Sequence, residues 1–148
     1  MPNIPINEAK TIENMKKVMV FGTFDGLHEG HLDFFRQARE YGDYLIVVAG
    51  RDKNVEKLKG NLPKKDEEQR VGDLIDCDLV DDALLGDETD PYKLIENLKP
   101  DVICLGYDQH NYADNLEKEL KERGLENIEI DRLKPYKPEK FHSSILNK

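Results

Sequence analysis

The chain has 148 residues, a formal net charge of −9 and 36% charged residues, the size of one domain that buries its own core without disulfides or structural metal. The acidic balance excludes nucleic acid or an anionic membrane surface as the main partner, so a bound anion must be captured locally. No apolar run approaches the roughly 18 residues of a membrane span, the N-terminus is polar with no export core, and Cys77 and Cys104 sit among apolar residues without CxxC spacing, which together read as a cytoplasmic protein with reduced thiols.

Residues 1–16 hold three Asn and two Pro before any strand signal and read as an N-terminal arm, leaving 17–148 as one domain. KVMVFG (17–22) is a short β-branched run stopped by glycine, and GHLDFFRQAREYGD carries Leu32, Phe35 and Ala38 at helical spacing with Gly42 as stop. YLIVVAG (44–50) is an uninterrupted apolar run of the kind covered on both faces. RDKNVEKLKGNLPKKDEEQR (51–70) is charged and broken by Gly60 and Pro63. It reads as a long functional connection, mobile over 51–65. A helix is expected from Asp66 to Ile75, with Gln69 completing a capping box. CDLVDDALLG reads as a strand. DPYKLIENLKP (90–100) reads as a helix capped by Asp90 and ended by Pro100. DVICLG (101–106) is a second buried run, NLEKELKERG (115–124) an exposed helix and IEIDRL (128–133) an edge strand. The alternation predicts an α/β fold, a Rossmann-like doubly wound parallel sheet in a three-layer sandwich.

Two of the four histidines stand three residues apart in GTFDGLHEGH, directly after the first strand, where such sheets place their ligands. With a helix starting near Glu29, His28 and His31 share one side of its first turn, where unpaired amides and the helix dipole favour anions. Gly22 and Gly30 allow close approach, Thr23 offers a hydroxyl and an amide, and the imidazoles donate to charge growing on a phosphoryl group. The plainer alternative is one histidine as helix cap and the other filling a surface notch. A zinc site would need further ligands.

GTFDGLHEGH resembles the signature of the nucleotidylyltransferase superfamily, whose hallmark (H/T)xGH element is here His28-Glu29-Gly30-His31. The preceding Thr23-Phe24-Asp25 is similar to the cytidylyltransferase-like branch, which also contains archaeal-type FAD synthetases and glycerol-3-phosphate cytidylyltransferases. The likeness runs from residue 17 to about 146. KLKG (57–60) resembles the lysine-bearing loop, EEQR (67–70) the element ending in arginine, FHSSIL (141–146) the C-terminal RTSSIK-like motif, and LGYDQ (105–109) the FAD synthetase group. Two departures remove positive charge: Phe141 and Leu146 stand where the family has Arg and Lys, and Asp78 stands where relatives carry a basic residue.

The resemblance implies attack by a substrate phosphate on the α-phosphorus of a nucleoside triphosphate, with release of pyrophosphate. His28 and His31 would face the charge on the α-phosphate and the bridging oxygen, and Lys57 or Lys59 would neutralise the triphosphate. Ser143 and Ser144 would donate to the β- and γ-phosphates, and Asp25 would orient the turn or the incoming substrate. Gly106, Tyr107, Asp108 and Gln109 would read the base and ribose, with Gly22, Thr23, Phe24, Gly30 and Arg70 completing the nucleotide-binding set. Without the resemblance, the lysines read as a solvated surface run and Tyr107 as a packing residue. Mg2+ would come on the phosphates, with no carboxylate cage. FMN is the favoured acceptor, with Tyr92, Tyr107, Tyr112 and Tyr136 available for an aromatic slot, giving FAD from ATP. The alternatives are a CTP-dependent enzyme for glycerol 3-phosphate or another polyol phosphate, and a catalytically degenerate nucleotide-binding module. The resemblance also implies a homodimer.

Overall fold

β-Branched and apolar runs supply the centre of a five-stranded sheet in the computed structural model, which describes residues 14–107 and 109–136, the side chains of Leu58 and of residues 110–114 excepted. The strands are β1 (Lys17–Gly22), β2 (Tyr44–Ala49), β3 (Asp82–Leu85), β4 (Val102–Leu105) and β5 (Glu129–Arg132). All pair in parallel in the order β3-β2-β1-β4-β5. The helices are α1 (Glu29–Arg39), α2 (Asp52–Lys59), α3 (Glu67–Ile75), α4 (Lys93–Leu98) and α5 (His110–Glu122).

Because strand side chains alternate between faces, the sheet has two cores. Val18, Val20, Leu45 and Val47 pack with Phe35 and Ala38 of α1 and Leu74 of α3 on one face. Met19, Ile46, Ile103 and Leu105 pack with Ile95 of α4 and Leu116 and Leu120 of α5 on the other. This is the doubly wound, three-layer arrangement expected from the sequence. Cys104 lies fully buried in the first core, where desolvation pushes its thiol up to about 12. No described helix is long and apolar enough to cross a membrane.

The chain leaves β1 towards β2 on one side, while β4 pairs with β1 on the other. The carboxyl ends of β1 and β4 therefore flank the topological switch point, where open α/β sheets bind ligands.

Four local readings shift. Residues 52–59 form a helix where a connection was expected. Its N-cap Arg51 makes no side-chain capping bond; instead Asp52 and Glu67 each accept the other's backbone N–H, at 3.1 and 2.9 Å, so two helix starts cap each other across the fold, and Val55 anchors the turn in the core. α1 ends at Arg39 rather than at Gly42; a Cβ at Gly42 would stand 2.6 Å from the Lys16 carbonyl oxygen, so that glycine serves a close chain crossing. Asp90 does organise the start of α4, accepting from the Tyr92 and Lys93 amides with its carboxylate and its carbonyl, yet the helix begins only at Lys93. α5 begins at His110, five residues before the amphipathic pattern is visible. The Asp66–Gln69 capping box is present as read. Asp108, Ser143, Ser144 and the rest of FHSSIL, the side chain of Tyr112 and residues 1–13 of the arm lie outside the described residues.

Candidate nucleotide site

A cleft of about 920 Å3 opens over the carboxyl ends of β1 and β4. The loop after β1 forms its floor, Lys59 stands at one side, and Gly106, Tyr107 and the segment 134–136 close the other.

The histidine pair builds the start of α1. His28 is its N-cap, with extended backbone, and its Nδ1 accepts the Gly30 N–H at 3.1 Å; the Nδ1 of His31 accepts the His28 N–H at 3.2 Å. This is a capping box made of two imidazoles. Since each Nδ1 accepts from the main chain, each neutral ring carries its proton on Nε2, leaving Nε2–H as the donor for a ligand. The ring centroids are 4.0 Å apart. Burial first, then the electrostatic influence of neighbouring His28 and Lys59, lowers the His31 pKa from 6.5 to about 4, so this ring is a neutral donor at neutral pH. The capping role therefore coexists with a binding role and fixes the tautomer for it.

Two glycines make room for the protein's own rings. Phe24, at a left-handed φ of 57°, tucks its buried ring beneath the loop, 5.5 Å from His31 and edge-on to it. A Cβ at Gly22 would meet that ring at 2.7 Å, and one at Gly30 would meet the His28 ring at 2.9 Å. Phe24 thus props His31 from below, and Thr23 and Asp25 border the cleft.

The remaining candidates divide. Arg70 does not line the cleft. It is fully buried and donates to the Thr23 carbonyl at 2.7 Å, the Asp52 carboxylate at 2.7 Å and the Lys65 carbonyl at 3.1 Å, joining the β1 loop, α2 and the start of α3. Both carboxylate oxygens of Asp25 accept backbone N–H groups of Lys64 and Lys65, at 2.8 and 2.9 Å, which hold its pKa below the usual carboxylate value. Lys59 borders the cleft beside the histidines, whereas Lys57 is exposed on α2 away from the lining. On the β4 loop, Gln109 accepts from the Gly106 N–H at 2.6 Å and donates to the Phe21 carbonyl at 3.2 Å, while Arg132 donates to the Gly106 and Tyr107 carbonyls. These groups shape the loop and leave the half-exposed Tyr107 ring facing the cleft. Tyr92 packs in the second core under Arg123, away from the cleft.

The sequence reading missed Gln37, whose amide exchanges two 2.9 Å bonds with the main chain of Lys134. The segment it holds brings Pro135 and Tyr136 to the cleft. Its partner lies 97 positions away, and no short motif signals such a bond. A smaller hollow of about 400 Å3 near the starts of α2 and α3 has a largely acidic lining, including Asp66, Glu67, Glu68 and Glu88, unsuited to a polyphosphate. Among the described residues, no group of three or more His, Cys, Asp or Glu side chains could hold a metal ion.

Residues 19–147 match the cytidylyltransferase-like family. A FAD synthase of Archaeoglobus profundus is 49% identical over 121 residues, covering 81% of this chain and 76% of that protein. A FAD synthase of Ferroglobus placidus is 44% identical over 120 residues, 81% of this chain and 77% of that one. Among solved structures, a lipopolysaccharide core biosynthesis protein of Thermoplasma volcanium superposes with a TM-score of 0.78 at 36% identity, over 83% of this chain and 99% of that one. A pantoate-beta-alanine ligase of Francisella tularensis, 17% identical with a TM-score of 0.61 over 90% of this chain and 64% of that one, shares the fold.

Proposed function

Since the chain belongs to the cytidylyltransferase-like family and is a nucleotidyltransferase, we propose that it is a FAD synthase, an adenylyltransferase that joins the AMP unit of MgATP to FMN and releases pyrophosphate. The observation that carries the chemistry is the pair of imidazoles at the N-terminus of α1, both Nδ1 atoms held by main-chain N–H groups, at the switch-point cleft. The choice of substrates rests on the curated FAD synthases the chain resembles.

A phosphate oxygen of FMN attacks the α-phosphorus, the bond from that phosphorus to the bridging oxygen breaks, and pyrophosphate leaves. The FMN phosphate is already anionic near neutral pH, so positioning and charge stabilisation carry the rate. The Nε2–H groups of His28 and His31, standing at the positive end of the α1 dipole, meet the charge on the α-phosphate and the bridging oxygen. Lys59 neutralises the phosphates from the side of α2; Lys57 is the weaker candidate by its place. Ser143 and Ser144 are retained as β- and γ-phosphate donors on the resemblance. Mg2+ would come with the ATP phosphates rather than on a carboxylate cage of the protein, and would supply further charge neutralisation. Gly106 and Gln109 shape the base loop, Asp108 stays with the base site on the resemblance, and Tyr107 offers its ring to the base. Free thiols at Cys77 and Cys104 support a cytoplasmic setting; a homodimer is carried over from the resemblance.

With the Gly106 N–H, the Gly106 and Tyr107 carbonyls and the Gln109 side-chain amide engaged in bonds within the protein, base selection at this loop leans on the Tyr107 ring, which favours the larger adenine plane; stacking contributes about 1–3 kcal/mol per base. MgATP at 100 times its dissociation constant adds about 2.7 kcal/mol to stability, and MgCTP at the same concentration adds less. Parallel melting curves check this. A shift with MgCTP equal to or larger than that with MgATP contradicts the adenylyl assignment, and no shift with either supports the degenerate module.

A further inference from the structure

We propose that Gln37 is a positioning residue for the nucleotide: it pins the main chain of Lys134 so that Tyr136 stands at the N-terminus of α1 as a wall of the nucleotide site. The inference rests on the adenylyltransferase reading and adds a residue to it.

Gly30, Asp33 and Gln37 follow one another at spacings of three and four, which puts them on one stripe of α1. The chain leaving β5 runs along that stripe. Leu133 is buried and donates its N–H to the Leu105 carbonyl at 2.8 Å, which fixes where the run begins. At the next residue the Gln37 Oε1 accepts the Lys134 N–H and its Nε2 donates to the Lys134 carbonyl, both at 2.9 Å. Two bonds to one residue fix its orientation as well as its place, as a neighbouring strand would. The same Nε2 donates to Asp33 Oδ2 at 2.8 Å, so the amide is held in the one orientation that matches both Lys134 groups.

The run ends at Gly30. A Cβ there would have the Tyr136 Cδ2 at 4.0 Å on one side and the His28 ring at 2.9 Å on the other. The half-buried Tyr136 therefore stands close to the imidazole that caps α1, within the same cleft as Tyr107. Arg132, two residues before Lys134, holds the Gly106 and Tyr107 carbonyls, so one stretch of chain ties the base loop to the phosphate-binding helix. A ligand that touches both is the nucleotide; Gln37 does not itself line the cleft and acts on it through the 134–136 run it holds, whose ring is Tyr136.

Steady-state kinetics with MgATP and FMN on the wild type, Gln37→Ala, Tyr136→Ala and the double variant test this, with melting temperatures alongside. The expected result is a rise in KM for MgATP of about tenfold in each single variant, kcat within about twofold, and a double variant no worse than Tyr136→Ala alone, since residues acting through one contact are not additive. Multiplying effects in the double variant, a rise confined to the KM for FMN, or a lowered melting temperature with unchanged kinetics overturns the proposal. Gln37→Asn, one methylene too short to keep both Lys134 bonds, shows the same split and replaces the alanine variant if that one fails to fold. Wild-type protein that makes no FAD would instead overturn the adenylyltransferase reading beneath it.

Discussion

His31→Ala lowers kcat by about 100- to 1000-fold, the scale set by removing one preorganised donor from a site of developing charge. The same change removes the acceptor for the His28 N–H, at about 1 kcal/mol of helix stability. His31→Gln separates the two effects, because glutamine at this position accepts the same N–H in a capping box. Its melting temperature returns close to that of the wild type while its kcat stays at least about tenfold down. The titration of His31 supports the separation. In the folded protein the ring stays neutral down to about 4, whereas in the unfolded chain it protonates near 6.5. Between those values the unfolded state binds more protons, so stability falls as pH drops through that window and this contribution is constant outside it. His31→Gln removes that part of the pH dependence. Wild-type kcat in either variant removes the pair from the chemistry.

Arg70→Ala destabilises the fold by about 3–5 kcal/mol, because it deletes a fully buried guanidinium together with its ion pair to the partly exposed Asp52 and its two bonds to main-chain carbonyls. The guanidinium is fully buried, and the Thr23 carbonyl, the Lys65 carbonyl and the Asp52 carboxylate all depend on it. Asp52 also caps α3 through the Glu67 N–H, so the loss spreads to the starts of both α2 and α3. For a domain of this length each kcal/mol moves the melting temperature by roughly 2–4 °C, and a fall of about 6–20 °C is expected by calorimetry. Arg70→Lys recovers less than half of it, since one ammonium cannot serve three acceptors set by a planar fork. A fall of under about 2 °C for Arg70→Ala contradicts the strut.

These two residues also mark what the sequence could and could not disclose. His28 and His31 were legible because strand, turn and helix start lie within a few residues, and the physics of a helix N-terminus is local. The Asp66–Gln69 box was legible for the same reason. The buried runs of β2 and β4 disclosed a parallel sheet covered on both faces, as their burial shows. α2 was not legible, because its capping partner Glu67 is 15 residues away. The tie between Arg70 and Thr23 spans 47 positions and that between Gln37 and Lys134 spans 97. Gly22 and Gly30 stood out as special, but only coordinates show that they admit the Phe24 and His28 rings. Tyr107, Gln109 and Arg132 likewise divide into a ring left facing the cleft and side chains consumed in shaping the loop only once their hydrogen bonds are placed.

The most direct measurement is product analysis with the purified protein offered MgATP or MgCTP, each with FMN or glycerol 3-phosphate, following pyrophosphate release and identifying the nucleotide product. The account predicts FAD and stoichiometric pyrophosphate from MgATP with FMN, at a kcat/KM at least about tenfold above any other pair, the ratio that about 1.4 kcal/mol of discrimination gives. CDP-glycerol from MgCTP as the principal product, or no pyrophosphate from any pair, would contradict it.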